Sequence, residues 1–253
     1  MIRLIISLIL ALLLPLPLFA AQLAYVSCDA NSDDSLGYLT ITTGTPTIVS
    51  GYQGNACRSS HNNDDGDADD FRKIGTALSG NIYVKYFIKY EAEYANTSNN
   101  AKLVWVEGAT SGHSELIFSG DDTPGQIDFF WQLSGGDAGF DAGTDITKYF
   151  NISYTKGEWI KVEVYIQKST GGGANADGIM RFTVNNSVVF EDLDAVTGIM
   201  DGLIHIPGIN GTADQVTGHG YWQIDEIELH DSIPDGVPAS TVSRGTVPLG
   251  DMR

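Results

Sequence analysis

Residues 157–190, GEWIKVEVYIQKSTGGGANADGIMRFTVNNSVVF, decide the fold of this chain. Apolar and polar residues alternate over positions 159–168, and this period of two predicts a strand with one buried and one open face. The glycine-rich loop 169–178 leads to a second strand at 179–184, and Asn185-Asn186 then reverse the chain before a third strand at 187–190. Because asparagine tolerates the positive φ of a tight turn, the last two strands are predicted to form a β-hairpin.

The alternation sorts the side chains of the first strand into two sets. The set predicted to be buried is Ile160, Val162, Val164 and Ile166, and the set predicted to be open is Trp159, Lys161, Glu163, Tyr165 and Gln167. Residues two apart on a strand share a face, so the open set forms one polar and aromatic surface.

The first 21 residues have the composition of a signal peptide. Arg3 supplies a positive start, residues 4–14 are an apolar run, and small residues follow at Ala20-Ala21. Pro15 and Pro17 break the run, and no second hydrophobic segment follows, so no membrane span is expected. We therefore expect export to the extracellular space or periplasm, a single domain over residues 22–231, and a disordered tail or linker stub over 232–253.

The two cysteines and the charge fit an exported protein. Cys28 and Cys57 are the only cysteines, and an oxidising compartment favours a disulfide between them over two free thiols. The formal net charge is −18 with only 14 Lys and Arg. This acidity argues against nucleic acid and anionic membrane surfaces as partners, since both require basic patches. Nothing in the sequence indicates an oligomeric state.

The rest of the chain also predicts short strands. Apart from the central stretch they lie at 23–27, 38–43, 82–89, 102–107, 126–133, 146–154, around 199–209, and at 221–230. In the last of these, Trp222 and Ile224 are out of phase by one residue with Ile227 and Leu229, and a β-bulge near Asp225-Glu226 would restore the phase. No helix of ten residues or more is expected after the signal peptide. The prediction is an all-β, two-sheet antiparallel sandwich of the jelly-roll type.

Five segments resemble a known superfamily. They are IYVKYFIKYEAEY (82–94), AKLVWVEG (101–108), GEWIKVEVYIQK (157–168), DGIMRFTVNNSVVF (177–190) and YWQIDEIEL (221–229). Together they resemble the concanavalin A-like lectin/glucanase jelly rolls, and within that superfamily the domains related to polysaccharide lyases. The superfamily includes lyases, glycoside hydrolases and lectins, so the resemblance implies a jelly roll that interacts with carbohydrate.

One glycosidase motif is nearly present. Glucanases of this superfamily carry E-x-D-x-x-E on a bulged strand, with the first glutamate as nucleophile. Here Gln223 occupies that position in QIDEIE, and an amide cannot form the glycosyl ester. The resemblance therefore does not imply a retaining hydrolase, and an acidic exposed strand face is the simpler interpretation.

A polysaccharide lyase needs a base for the C5 proton and a group that neutralises the uronate carboxylate. We take Lys161, Tyr165 and His205 as candidate catalytic residues, because Lys161 and Tyr165 lie four apart on one predicted strand face. The alternative is that Lys161 only forms an ion pair with Glu163 or another neighbour. The strand motifs of the well-marked alginate lyases are absent.

Binding without catalysis requires aromatic rings and a few polar groups. The candidate substrate-binding residues are Lys102, Gln132, Glu163, Gln167, Tyr221 and Gln223. Acidic loops could hold Ca²⁺, and Asp65, Asp67 and Asp69, at every second position, are the candidate ligands. An acidic surface loop without metal is the alternative.

The sequence thus predicts a secreted jelly roll that binds an extracellular polysaccharide. One alternative is a lyase that cleaves a uronate polymer by β-elimination. Another is a structural protein that serves adhesion at a surface.

Overall fold

The computed structural model describes residues 20–28, 39–40, 47–60, 72–74, 81–93, 95–96, 101–107, 113–120, 126–134, 146–171, 175, 177–195, 204–206, 208–209, 218–219 and 221–234. Residues 1–19, which are part of the predicted signal peptide, the acidic residues Asp65, Asp67 and Asp69, and residues 235–253 of the predicted tail lie outside the described residues. The prediction of where the domain begins and ends stays a prediction.

Within the described residues, the chain forms eighteen strands. They are β1 (Gln22–Val26), β2 (Leu39–Thr40), β3 (Thr47–Ser50), β4 (Asn55–Ser60), β5 (Arg72–Ile74), β6 (Ile82–Tyr90), β7 (Ala95–Asn96), β8 (Ala101–Glu107), β9 (His113–Gly120), β10 (Gln126–Ser134), β11 (Ile146–Thr155), β12 (Ile160–Gln167), β13 (Gly178–Val184), β14 (Ser187–Ala195), β15 (Ile204–Ile206), β16 (Gly208–Ile209), β17 (Gly218–His219) and β18 (Tyr221–His230). β3, β4, β5, β7, β9 and β17 were not predicted, and β4 extends into a polar stretch that was expected to be a loop.

The strands form two large antiparallel sheets, as predicted. The first sheet has the order β14-β13-β12-β6-β18-β4-β3, with β1 also paired to β18. The second has the order β11-β10-β9-β8-β15-β5-β2, with β16 paired to β8, and β17 and β7 form a small third sheet. The described residues contain no helix long and apolar enough to cross a membrane. The all-β, two-sheet jelly roll predicted from the sequence is confirmed.

The core face of the first sheet is built from the residues whose alternation was read from the sequence. Val164 is opposite Val84 on β6 and Phe182 on β13, and all three are fully buried. Further apolar members of the same face on β6, β12 and β13 are Ile82, Tyr86, Ile88, Ile160, Val162, Ile166, Met180 and Val184, each at most 4 % exposed. Burial of these side chains supplies the main free energy that holds the sheet in place.

The opposite face, called the outer face below, is less open than the alternation predicted. Glu163 and Tyr165 are only 4 % and 8 % exposed. Both are covered by side chains of neighbouring strands, because Tyr165 is opposite Tyr83 and Arg181, and Glu163 is opposite Lys85. The prediction of an open face is therefore wrong for the middle of β12.

The predicted hairpin is present. Asn185 and Asn186 join β13 to β14 with φ angles of 47° and 67°. Two consecutive residues with positive φ define the type of two-residue turn that matches the twist of an antiparallel pair. The Asn185 side chain also accepts a hydrogen bond from the Lys161 N–H at 2.9 Å, which ties the turn to β12.

The predicted bulge is present as well. The register between β18 and β6 shifts between Asp225 and Glu228, and Glu226 has a φ of 52°. The extra residue places Ile224, Ile227 and Leu229 together in the core, with exposures of 1 % or less.

The disulfide between Cys28 and Cys57 is confirmed. It joins the end of the β1 segment to β4, with Cα atoms 5.2 Å apart and a sequence separation of 29. Cys57 is opposite Ile224, so the bridge lies beside β18, with which both β1 and β4 pair.

Candidate functional site

A continuous row of paired positions crosses the second sheet. Counted in Cα partners from one strand to the next, it consists of Lys73, His205, Trp105, Glu115, Gln132 and Thr147. This set is called the polar row below. It contains five residues that can donate or accept hydrogen bonds through polar or charged groups and one tryptophan.

The next row along the strands has the opposite character. It consists of Ile74, Ile204, Val106, Ser114, Leu133 and Ile146, which are apolar with one exception. Adjacent rows alternate between the two faces of a sheet, so the polar row and the apolar row lie on opposite faces of the second sheet. Since neighbouring strands are about 4.8 Å apart, the five steps of the polar row extend over about 24 Å.

The face with the polar row carries a second set of residues. Lys102 is paired with Ile117, Ile117 with Phe130, and Phe130 with Tyr149. Ile117, Phe130 and Tyr149 are each two positions from a member of the polar row, so they lie on the same face.

The candidate residues from the sequence fall on both sheets. His205, Lys102 and Gln132 lie on β15, β8 and β10 of the second sheet, on the polar-row face. Lys161, Glu163, Tyr165, Gln167, Tyr221 and Gln223 lie on β12 and β18 of the first sheet. The three candidate catalytic residues are therefore not brought onto one sheet.

Lys161 and Glu163 form a closed polar group on the outer face. The Lys161 ammonium is 2.8 Å from the Glu163 carboxylate, which also accepts a hydrogen bond from the Tyr83 hydroxyl at 2.5 Å. Burial, and then the bond to Glu163, raises the pKa of the Tyr83 phenol. For Lys161, the sequence left two interpretations open, a catalytic role and an ion pair with Glu163. The ion pair is present in the structure.

Tyr165 lines a small cavity on the same face. The cavity measures about 20 Å³, enough for about one water molecule, and Glu163, Arg181 and Ile233 also line it. The Tyr165 hydroxyl donates to Gln167 Oε1 at 3.3 Å, and burial raises the pKa of this phenol. A general base must lose its proton near the working pH, so this environment opposes that role for Tyr165.

Tyr221 and Gln223 belong to a cluster around Arg58 and Glu91. The Arg58 guanidinium forms two hydrogen bonds with the Glu91 carboxylate, at 2.6 and 2.7 Å, and lies 3.4 Å from the centroid of the Tyr221 ring. Gln223 Nε2 donates to the same carboxylate at 2.7 Å. This geometry makes Arg58 a bidentate partner of a carboxylate within the chain.

The Arg58–Glu91 pair predicts a pH dependence of stability. The hydrogen bond from Arg58 holds the pKa of the Glu91 carboxyl below its ordinary value of 4.5. A lowered carboxyl pKa stabilises the fold above that ordinary value, and the contribution is lost as the pH falls through the folded-state pKa. We expect Glu91→Gln to lower the free energy of unfolding at pH 7 by about 1 kcal/mol and to make the loss of stability on acidification shallower.

Chemical denaturation between pH 7 and pH 3 measures both effects. Glu93→Gln, at an exposed position, is the matched control and should change the free energy of unfolding at pH 7 by less than about 0.5 kcal/mol. If Glu91→Gln and the parent protein lose stability in parallel over the whole range, the assignment to this carboxyl is wrong.

Sequence reasoning missed Trp105, Glu115 and Tyr149 as partners of one face. Trp105 and Tyr149 lie on predicted strands, and Glu115 lies on β9, which was not predicted. That they share a face depends on the pairings between β8, β9, β10 and β11. Polar residues at alternate positions could be recognised in the sequence. The register between strands that are separated by loops could not be inferred from it.

The described residues contain no group of three or more His, Cys, Asp or Glu side chains placed to hold a metal ion. The candidate calcium ligands Asp65, Asp67 and Asp69 are not among those residues, so calcium binding stays a prediction.

No protein-family model and no curated protein matches the chain. Solved structures do resemble it. Domain 4 of AbnA, a GH43 extracellular arabinanase from Geobacillus stearothermophilus, solved with arabinotriose, has a TM-score of 0.53 at 15 % identity, over 85 % of this chain and 95 % of that one. A mutant of alginate lyase Aly36B, solved with alginate trisaccharide, has a TM-score of 0.51 at 13 % identity, over 85 % of this chain and 99 % of that one.

A third likeness is to the endo-β-1,4-glucuronan lyase from the fungus Trichoderma reesei. Its TM-score is 0.50 at 12 % identity, over 84 % of this chain and 96 % of that one. At these identities the likeness shows the fold alone. The chain shares the fold of these three solved structures, in agreement with the jelly roll that the resemblance of its strands implied.

Proposed function

We propose that this protein binds an extracellular polysaccharide along the polar row of its second sheet. The observation that carries the proposal is the row itself, in which Trp105 stands between His205 and Glu115, with Gln132 one strand further. An aromatic residue flanked by hydrogen-bonding residues is the combination that sugar rings require, because their faces are apolar and their edges carry hydroxyls.

The length of the row supports a polymer as ligand. A row of about 24 Å can contact several consecutive sugar rings, whereas a monosaccharide would use only part of it. The structural neighbours also support the proposal: one was solved with arabinotriose and one with alginate trisaccharide, and both ligands are oligosaccharides.

The disulfide supports a location outside the cytoplasm. Disulfides persist in oxidising compartments, and the Cys28–Cys57 bridge accounts for both cysteines of the chain. With the signal-peptide pattern of residues 1–21, this supports secretion to the extracellular space or periplasm, where polysaccharide is encountered.

Substitution in the polar row tests the proposal. Affinity electrophoresis on gels containing alginate, glucuronan or arabinan should show retardation of the parent protein in at least one polymer. We expect Trp105→Ala to weaken that binding by about tenfold, because one stacking contact of roughly 1.4 kcal/mol is lost. Gln132→Ala should weaken it less, because one polar contact is lost.

Ile48→Ala is the matched control. Ile48 is exposed on β3 of the first sheet, so its replacement should leave the retardation unchanged. No retardation in a broad polymer panel would overturn the proposal and leave a structural role in adhesion. Retardation that is equal for the parent and Trp105→Ala would show that another surface binds.

The alternative function is β-elimination of a uronate polymer. Gln132 on β10 and Tyr149 on β11 are two positions apart in register, with Cα atoms roughly 8 Å apart. An amide can neutralise the uronate carboxylate, and a tyrosine is a suitable base for the C5 proton, so these positions support the lyase alternative. The deprotonated Tyr149 hydroxyl would take the proton from C5, the C4–O bond would break, and a C4–C5 double bond would form. The leaving oxygen would then receive that proton from Tyr149.

Ultraviolet absorbance of the unsaturated uronate separates lyase from binding. If the absorbance increases with alginate or glucuronan, the variants Tyr149→Phe and Tyr165→Phe show which sheet carries the catalytic site. Only the replacement of the catalytic tyrosine should abolish the increase. Retardation without absorbance growth supports the binding function and excludes the lyase on those polymers.

A further inference from the structure

The first sheet carries an aromatic surface that the polar row does not use. Tyr52, in the turn between β3 and β4, is 46 % exposed although it is a large aromatic residue. Its ring stacks on Phe87 with centroids 3.9 Å apart and lies edge-on to Trp159 at 6.1 Å. We propose that Tyr52, Phe87, Trp159 and Lys89, called the Tyr52 platform, form a second glycan-binding site that takes a sugar residue carrying a carboxylate.

The turn that carries Tyr52 is hydrogen-bonded to Asp225 in the bulge of β18. The Asp225 carboxylate is buried and accepts hydrogen bonds from the N–H groups of Gln53, at 3.0 Å, and Glu226, at 2.9 Å. The turn is closed by a hydrogen bond from the Gly51 N–H to the Gly54 carbonyl at 2.9 Å. An exposed aromatic ring on a turn fixed in this way loses little conformational entropy when a ligand stacks on it.

Gly51 shows how closely the turn is fitted to the carboxylate. A Cβ atom at this position would lie 2.6 Å from Asp225 Oδ2 and 2.7 Å from the Ala56 nitrogen. Residue 51 therefore has to be glycine for Asp225 to reach the turn, since one of the contacting atoms is backbone and cannot move aside.

Lys89 gives the platform its preference for a negative group. Its ammonium lies 4.8 Å from the centroid of the Trp159 ring. On the described part of the outer face, Arg58, Lys85, Lys161 and Arg181 are each in an ion pair with a glutamate. Lys89 has no such pair with a described residue, although its charge helps to lower the pKa of the Glu91 carboxyl, which is paired with Arg58. Lys89 is thus the cation of this face that is available to a carboxylate of a ligand.

The ligand chemistry follows from these two groups. The apolar face of a pyranose ring can stack on the side of Tyr52 that is turned away from Phe87, and a carboxylate on that ring or the next can reach the ammonium beside Trp159. In a chain with a net charge of −18, an anionic glycan needs such a local cation, so the ligand class is a uronate rather than a highly charged polymer such as a nucleic acid.

The Tyr52 platform is independent of the proposed polar-row site. It lies on the outer face of the first sheet, whereas the polar row lies on the second sheet. It is therefore tested both in the parent protein and in a Trp105→Ala background, so that failure at one site is distinguishable from failure at the other.

The test is titration of the full chain with an oligoalginate of defined length and with a cello-oligosaccharide of the same length. Protein NMR measures the chemical-shift changes of Tyr52 and Trp159 during the titration, and the dissociation constants are fitted to these changes. We expect the oligoalginate to shift these signals in both backgrounds and the neutral oligosaccharide to bind at least tenfold more weakly. Raising the salt concentration should weaken the binding of the oligoalginate and leave the binding of the neutral oligosaccharide unchanged.

Three variants isolate the platform. Tyr52→Ala should weaken oligoalginate binding at least tenfold and Tyr52→Phe should not, because the phenyl ring still stacks. Lys89→Gln should remove the preference for the acidic ligand. An unchanged thermal midpoint shows that each variant is folded, as expected for a residue as exposed as Tyr52.

Two results would overturn the proposal. One is an absence of shifts at Tyr52 and Trp159 with oligoalginate in both backgrounds. The other is equal binding of the two oligosaccharides in the parent protein, or a preference that persists unchanged in Lys89→Gln.

Discussion

Replacement of both Cys28 and Cys57 by serine should lower the free energy of unfolding by about 3.6 kcal/mol. The bridge closes a loop with a sequence separation of 29 residues, and the chain-entropy model gives about that value for a loop of this length. For a domain of this size such a loss corresponds to a drop of roughly 10 °C in the melting temperature. Differential scanning calorimetry and urea denaturation measure it.

Reduction of the parent protein is the control for the serine substitutions themselves. The reduced parent and the double serine variant should unfold at the same urea concentration, and a reducing agent should have no effect on the variant. If the oxidised parent and the variant have equal midpoints, the bridge does not stabilise the fold. The effect should also be absent from the slope of the urea dependence if the same surface is exposed on unfolding.

Phe182→Ala should lower the free energy of unfolding by about 3–5 kcal/mol. Phe182 is fully buried, and it is opposite Val164 on β12 and Phe190 on β14. Truncation removes the transfer free energy of the ring and leaves a cavity between strands that are held by their register and cannot close around it. Urea denaturation with a constant slope is the appropriate measurement.

Thr183→Ala is the matched control, because Thr183 is the next residue on the same strand and lies on the outer face. It should change the free energy of unfolding by less than about 1 kcal/mol. Equal effects of Phe182→Ala and Thr183→Ala would contradict the assignment of the core to the Val164 face of the first sheet.

On the outer face of the first sheet, several charged groups are compensated within the chain. Glu163 is satisfied by Lys161 and Tyr83, and Glu228 lies 2.6 Å from Lys85. Groups paired in this way have little left for a ligand. Lys89 differs from them, because its ammonium lies 4.8 Å from the centroid of the Trp159 ring and forms no ion pair with another described residue.

Local features were predicted well. The turn at Asn185-Asn186 and the bulge at Asp225-Glu226 were both inferred from a few adjacent residues. Both follow from properties that act over one or two residues, namely the tolerance of positive φ and the alternation of side chains along a strand.

Long-range placement was not predicted. The burial of Glu163 and Tyr165 depends on Lys85, Tyr83 and Arg181, which reach β12 only through pairing with β6 and β13. The stacking of Tyr52 on Phe87 depends on Asp225, 172 residues away from its partner Gln53. Contacts between residues so far apart in the sequence cannot be inferred from patterns of neighbouring residues.

Local patterns in the sequence predicted most of the long strands, the turn at Asn185-Asn186 and the core side of β12, because alternation and turn chemistry act between neighbours in the chain. The sequence also determined which two cysteines join, since the chain has no others. Only the tertiary structure decided which polar residues stand side by side, as in the row from Lys73 to Thr147. The physical reason is that register between distant strands is selected by the packing of the whole core, and a shift of one residue would move every polar side chain to the other face.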